Sequence, residues 1–257
     1  MISKFKSLMA IYFFVGALCV TGAGYLTYLY PDKSYLWLIL ALLIIVMTML
    51  LLSKIGRKKF KNEVLSYYLD CNVKEYLNRI DKLMGKKRFR SDKSAYAYLS
   101  SMGYSALGDY DESFQRAQNI TVRSHMPEYY KRAADYYINK GDLEKASESL
   151  SELSELGRSI TSPVYRDQIL IFVKGREYMI RVKEGILDGA EEFYSELYEQ
   201  CDDQALIVRV SVSYTLGNII LQKGDRERAL PYLKFASENG GDTKYKKLSD
   251  GLLAKIS

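Results

Sequence analysis

Two long apolar runs are followed by a helical alternation of apolar and polar positions that continues through the rest of the chain. Residues 7–30 hold no charged side chain over 24 positions, and residues 34–53 hold none over 20. Either run is long enough to cross a hydrocarbon core of about 30 Å as a helix, so the pattern predicts spans at residues 8–30 and 35–53. Between them stands Pro31-Asp32-Lys33, where proline ends a helix and two ions of opposite sign belong in water. So short a break predicts a tight transmembrane hairpin over residues 1–53. Gly22-Ala23-Gly24 has the small residues of a signal-cleavage site, but the apolar run exceeds the roughly 7 to 15 residues of a signal core.

From residue 60 the apolar positions recur at helical spacing: Phe60, Val64, Leu65, Tyr68 and Leu69, then Val73, Tyr76, Leu77, Ile80, Leu83 and Met84. This predicts two amphipathic helices broken at Asp70-Cys71-Asn72. Residues 54–93 thus form a basic collar and a capping helix pair, with a charged connection at residues 85–90.

Farther on, one turn pattern returns. Gly108-Asp109 recurs as Gly141-Asp142 and again as Gly224-Asp225, each pair between apolar segments of helical length. Counted from the glycine, small residues stand seven before (Ser101, Ala134, Gly217) and five after (Ser113, Ala146, Ala229). Apolar or small residues stand nine after (Ala117, Leu150, Leu233) and twelve after (Ile120, Leu153, Ala236). Small residues at fixed places in both helices of a pair let the helices cross closely, and apolar neighbours fill the remaining gap. A weaker unit around Gly185 keeps Ala190, Tyr194 and Leu197 in register but has Tyr178 and Arg181 where a small and an apolar residue belong. Longer helices are expected there, over residues 164–183 and 204–223, with an inserted loop at 159–163.

This pattern resembles the tetratricopeptide repeat, a helix pair of about 34 residues with a small residue in each helix at the crossing and a Gly-Asp type turn. Tyr214-Thr215-Leu216-Gly217-Asn218 followed by Gly224-Asp225-Arg226-Glu227-Arg228-Ala229 carries it most fully. The fold class expected is all-α, a transmembrane helical hairpin followed by a tetratricopeptide-like α-solenoid over residues 94–257, ended by an amphipathic capping helix (Tyr245, Leu248, Leu252, Leu253, Ile256).

Charge refines this picture. Of the net +6, residues 1–61 hold eight Lys or Arg against Asp32, and the other 196 residues hold 29 basic and 30 acidic side chains. The basicity therefore flanks the apolar runs, which argues against a nucleic-acid partner. Lys4 and Lys6 precede the first run, Lys33 alone lies in the loop, and Lys54, Arg57, Lys58, Lys59 and Lys61 follow the second. That asymmetry predicts a cell-membrane protein with both termini and the repeat domain cytoplasmic. Neither run holds an ionisable residue, so the hairpin is read as an anchor and not as a transport path. Cys19, Cys71 and Cys201 stand singly, without metal-ligand or CxxC spacing.

The sequence has one histidine, His125, and no phosphate loop, nucleophile elbow or His-Glu metal spacing. No catalytic residue, cofactor, metal or small-molecule substrate is predicted. The expected activity is binding: an adaptor that holds a protein or peptide at the inner membrane face and touches lipid through the hairpin and the collar. The alternative is an accessory subunit of a membrane enzyme or transporter, recognised through the hairpin. The resemblance implies a concave groove lined by the first helix of each pair. In that register the partner-facing residues are Tyr98, Met102, Lys131, Asp135, Met179, Tyr214 and Asn218.

Overall fold

The computed structural model describes residues 2–84 and 90–256, and helix is the only regular structure among them. The greater part of the connection expected at residues 85–90 lies outside the described residues. The chain divides into two compact units, Met1–Leu65 and Ser66–Ser257.

The first unit consists of α1 (Ile2–Leu29), a 3₁₀ turn at Pro31–Lys33, α2 (Ser34–Phe60) and a π-helical turn at Lys61–Leu65. Proline and the charged pair break the helix where the sequence places the hairpin tip, and Lys and Arg, good helix formers, carry α2 on through the collar. α1 and α2 pack together. The glycines of α1 do not make that contact, since a Cβ at Gly16, Gly22 or Gly24 would meet nothing within 4 Å, whereas Ala23 is buried. Thr21 and Thr48 donate to the carbonyls of Ala17 and Ile44, both at 2.8 Å, so their hydroxyls are satisfied inside their own helices. One helix among the described residues, starting at Leu36 within α2, is long and apolar enough to cross a membrane; its mean hydropathy is 2.8 and its most apolar window is unburied. α1 contributes a shorter apolar stretch, Phe14–Leu29.

The second unit begins with α3 (Ser66–Leu69) and α4 (Val73–Met84), separated at the break expected at residues 70–72. Helix pairs follow: α5 (Arg90–Leu107) with α6 (Tyr110–Ala117), and α7 (Met126–Lys140) with α8 (Leu143–Arg158). Then come α9 (Pro163–Lys183) with α10 (Ala190–Glu199), α11 (Leu206–Gln222) with α12 (Arg226–Asn239), and last α13 (Lys244–Ile256). From α4 to α13 each helix packs on the next, and α7 also packs on α5 and α9.

The repeated turn has a local cause. Gly108, Gly141 and Gly224 adopt φ of 87°, 80° and 90°, a left-handed conformation that glycine takes without steric cost. The aspartate after each caps the following helix, accepting from the backbone N–H of Glu112, Lys145 and Arg228 at 3.1, 3.2 and 3.1 Å. The weaker unit keeps the left-handed glycine, Gly185 at φ 82°, but not the aspartate cap: α10 starts after Gly189, itself left-handed at φ 73°, with no side-chain cap.

All the crossing positions are buried. Ser101, Ala134, Ala146 and Ala229 have no exposed surface, Ser113 and Gly217 are buried too, and the Ser113 hydroxyl donates across its crossing to the Ser101 carbonyl at 2.9 Å. A Cβ on Gly217 would lie 2.9 Å from Leu233 Cγ, closer than packed carbons come.

The two ends of this unit are tied together. The Asp242 carboxylate accepts from the N–H groups of Val73 and Lys74 at 2.7 and 2.9 Å, capping α4 from a distance of 169 positions. In return the Asp242 N–H donates to the Cys71 carbonyl at 3.1 Å. Cys71 is itself left-handed at φ 61°, and a Cβ on Gly241 would sit 2.3 Å from the Cys71 oxygen, so only glycine fits. α3 packs on α11, and Lys244 lies 4.5 Å from the Tyr110 ring. The C-terminal helix thus caps α12 and also joins the start of the domain.

Candidate functional site

α7 presents two different faces, one carrying buried acidic residues and the other lying across from exposed acidic residues of α8. On one face Glu128, Arg132 and Asp135 follow one another at helical spacing with Lys131 between them. Glu128 and Asp135 are 5% and 6% exposed. Arg132 pairs with Glu128 at 2.8 Å and with Asp135 at 3.4 Å, and Arg176 of α9 reaches Asp135 at 2.6 Å. The Ser105 hydroxyl of α5 donates to the same carboxylate at 3.4 Å. Burial alone would raise the Asp135 pKa, but the Arg176 and Arg132 guanidiniums offset this and pull it down to about 2. The same carboxylate holds Arg176 above its usual value against the effect of burial. Three helices are joined by this cluster, and its charges are spent on one another.

The sequence-predicted residues fall in several settings. Asp135 is a member of the buried ionic cluster. Lys131, half-buried, lies over the Phe172 ring at 5.3 Å, and burial lowers its pKa. Tyr98 stacks on His125 with ring centroids 5.1 Å apart, and burial pushes its phenol up to about 12. Tyr214 packs near Tyr245 of α13, with centroids 5.8 Å apart. Met179 packs against the core shared by α9 to α12. Met102 and Asn218 are half-buried. Lys131 and Asp135 are brought together on α7; Tyr98 and Tyr214 each face a different neighbour.

The other face of α7 points to α8 and is open. Tyr129, Tyr130, Ala133 and Tyr137 form one wall of a groove, and Lys145, Glu148, Ser151 and Glu152 of α8 form the other. A second hollow continues it through Met126, Glu155 and Leu156 to Arg123 and Ser159, sharing Tyr130 and Glu152 with the first. The tyrosines are half-exposed, and Glu148, Glu152 and Glu155 are exposed. Phe114 joins the rings into one aromatic cluster, 6.0 Å from Tyr129 and 5.7 Å from Tyr137. Lys145 already sits over the Tyr137 ring at 5.5 Å while pairing with Asp142 at 2.7 Å. Burial and the neighbouring Glu152 charge raise the Tyr130 phenol. The sequence reading did not single these residues out. Their signal is a row of glutamates, 144, 148, 152 and 155, at spacings of four, four and three along α8.

His125 contacts the Ser94 hydroxyl at 3.4 Å, and burial lowers its pKa. No group of three or more His, Cys, Asp or Glu side chains is placed to hold a metal ion among the described residues. Cys71 and Cys201 are buried single thiols; burial pushes Cys71 up to about 12 and raises Cys201 as well, which keeps both in the unreactive protonated form. Comparison of the chain with protein-family models, with curated proteins and with solved structures returned no match.

Proposed function

We propose that this protein is a membrane-anchored adaptor, in which α1 and α2 form a two-span hairpin and the tetratricopeptide-like helix pairs bind a protein or peptide at the cytoplasmic face. The observation that carries the reading is the contrast between an unburied helix of mean hydropathy 2.8 and a separate compact unit with its own cores. An anchor with no ionisable residue in its apolar runs, joined to a stack of helix pairs, is suited to holding another molecule in place. The collar, with Lys54, Arg57, Lys58, Lys59 and Lys61, adds attraction to anionic lipid of about 1 kcal/mol per residue near the surface at low screening. On the wall implied by the repeat register, Tyr98, Met102, Lys131, Met179, Tyr214 and Asn218 are half-buried and retain surface for a partner.

Two measurements test this. A cysteine placed at residue 257 of the full chain is expected to react with an impermeant reagent only after the membrane is opened; labelling of intact cells overturns the orientation. Exchange of residues 1–53 for an unrelated two-span hairpin is expected to preserve proximity-labelled neighbours. Their loss would favour an accessory subunit recognised within the bilayer.

A further inference from the structure

Three exposed carboxylates in one row on α8 set a physical problem. Glu148, Glu152 and Glu155 are four and three residues apart, so they share a helix face and repel one another, a small but real cost to the helix. None forms an ion pair among the described residues. Some other acids of the unit do, among them Glu75 with Arg79, Glu112 with Arg116, and Glu191 with both Lys223 and Arg228; what sets this row apart is its regular spacing along one face opposite aromatic rings. Opposite the row stand the half-exposed rings of Tyr129, Tyr130 and Tyr137. The negative face of an aromatic ring attracts cations, and at the groove's end Lys145 over Tyr137 displays that contact.

We propose that the groove between α7 and α8 is a docking site for an arginine-bearing segment of another protein. Guanidinium groups would pair with Glu148, Glu152 and Glu155 and lie over the tyrosine rings. Arginine suits both surfaces, because its planar fork meets carboxylates with two hydrogen bonds and its flat face stacks on rings. A helical segment with arginines three and four residues apart matches the spacing of the row, since both follow one helical turn of about 5.4 Å. The charge of the row also selects against one competing occupant: an anionic lipid surface would be repelled. The inference rests on the adaptor reading and adds to it the place of binding and the chemistry of the partner.

The test uses the full chain in a nanodisc of neutral lipid, with a short fluorescent alanine-rich peptide carrying arginines at positions i, i+4 and i+7. Wild type is expected to bind it, more weakly as salt rises. The variant Glu148→Gln with Glu152→Gln and Glu155→Gln is expected to lose about tenfold in affinity, the sum of three exposed ion pairs. Tyr130→Ala is expected to weaken binding about threefold, while Tyr130→Phe keeps the ring, removes only the hydroxyl beside Glu152 and is expected to bind at least as well as wild type. The control variant Glu196→Gln with Glu199→Gln and Glu227→Gln removes three exposed acids elsewhere and is expected to bind like wild type. An equal loss in that control would mean that only overall charge is being read, and the proposal fails. It fails also if wild type does not bind the peptide, or if the triple change alters self-association of the chain and not peptide affinity, which would make a second copy the occupant. Failure of the adaptor reading shows separately, in the labelling of residue 257 and the hairpin exchange.

Discussion

On its two sides α7 meets carboxylates put to opposite uses, its own on one and those of α8 on the other. On one face Glu128 and Asp135 are almost wholly buried and each is paired with a guanidinium; across the groove on the other, Glu148, Glu152 and Glu155 stand in solvent. A buried charge must be paired, because removing it from water costs several kcal/mol that only a close counter-ion offsets. An exposed charge needs no partner and remains available to one. That difference makes the first set structural and leaves the second open for the recognition proposed above, although both lie within one helix pair.

The largest expected effect breaks the structural side of that comparison. Asp135→Ala leaves the partly buried Arg176 without its counter-ion, while Arg132 keeps Glu128, and should destabilise the unit by about 2 to 4 kcal/mol in denaturant titration. A loss below about 1 kcal/mol would show that water reaches these guanidiniums and that the cluster is not a structural element. The same residue gives a pH signature. Its folded pKa is depressed to about 2 from the ordinary 3.8, so its contribution is complete above pH 4 and disappears as pH falls through 2. Between those values wild type should lose more stability than Asp135→Asn, and parallel curves would place the acid sensitivity elsewhere.

Next in size is Ala229→Leu at the crossing of α11 and α12, where the residue has no exposed surface. Over-packing there should cost about 1 to 3 kcal/mol. Gln168→Leu on the exposed side of α9 should change the melting temperature little, and equal shifts in the two variants would mean that the crossing register is misplaced.

Asp242→Ala removes a cap from α4 and cuts the tie between the ends of the unit, with an expected loss of about 1 kcal/mol. Hydrogen exchange should then quicken in α4 and at the start of α13 while α7 and α8 keep their protection. Uniform quickening would show that the tie supports the entire unit.

The smallest effect on stability sharpens the other side. Neutralising Glu148, Glu152 and Glu155 together should leave the melting temperature unchanged or raise it slightly, by a few tenths of a kcal/mol of relieved repulsion. A clear fall would make these residues structural and remove the contrast between the two faces.

The fold and the candidate site were legible to different degrees. Turn glycines, the aspartate caps after them and the small residues at the crossings lie within a dozen positions of one another, and all take the places their spacing indicates. The break at Asp70-Cys71-Asn72 and the bounds of α9 could be read in the same way. Asp135 could not. The repeat register puts it on a partner-facing wall, but only the approach of α9 shows that Arg176 neutralises it. The groove was hidden for a related reason: the glutamate row is visible in the sequence, but the tyrosines opposite it belong to another helix.

By itself, then, the sequence determined the helices, their turns, the crossing residues and the apolar runs that distinguish the first unit, because each depends on neighbours within a few turns of chain. Helix packing alone settles which charges are spent on one another, which stay open, and that Asp242 caps a helix 169 positions away. Those outcomes depend on how successive helix pairs rotate against each other. Small rotations add up along the unit, and no local pattern of residues records their sum.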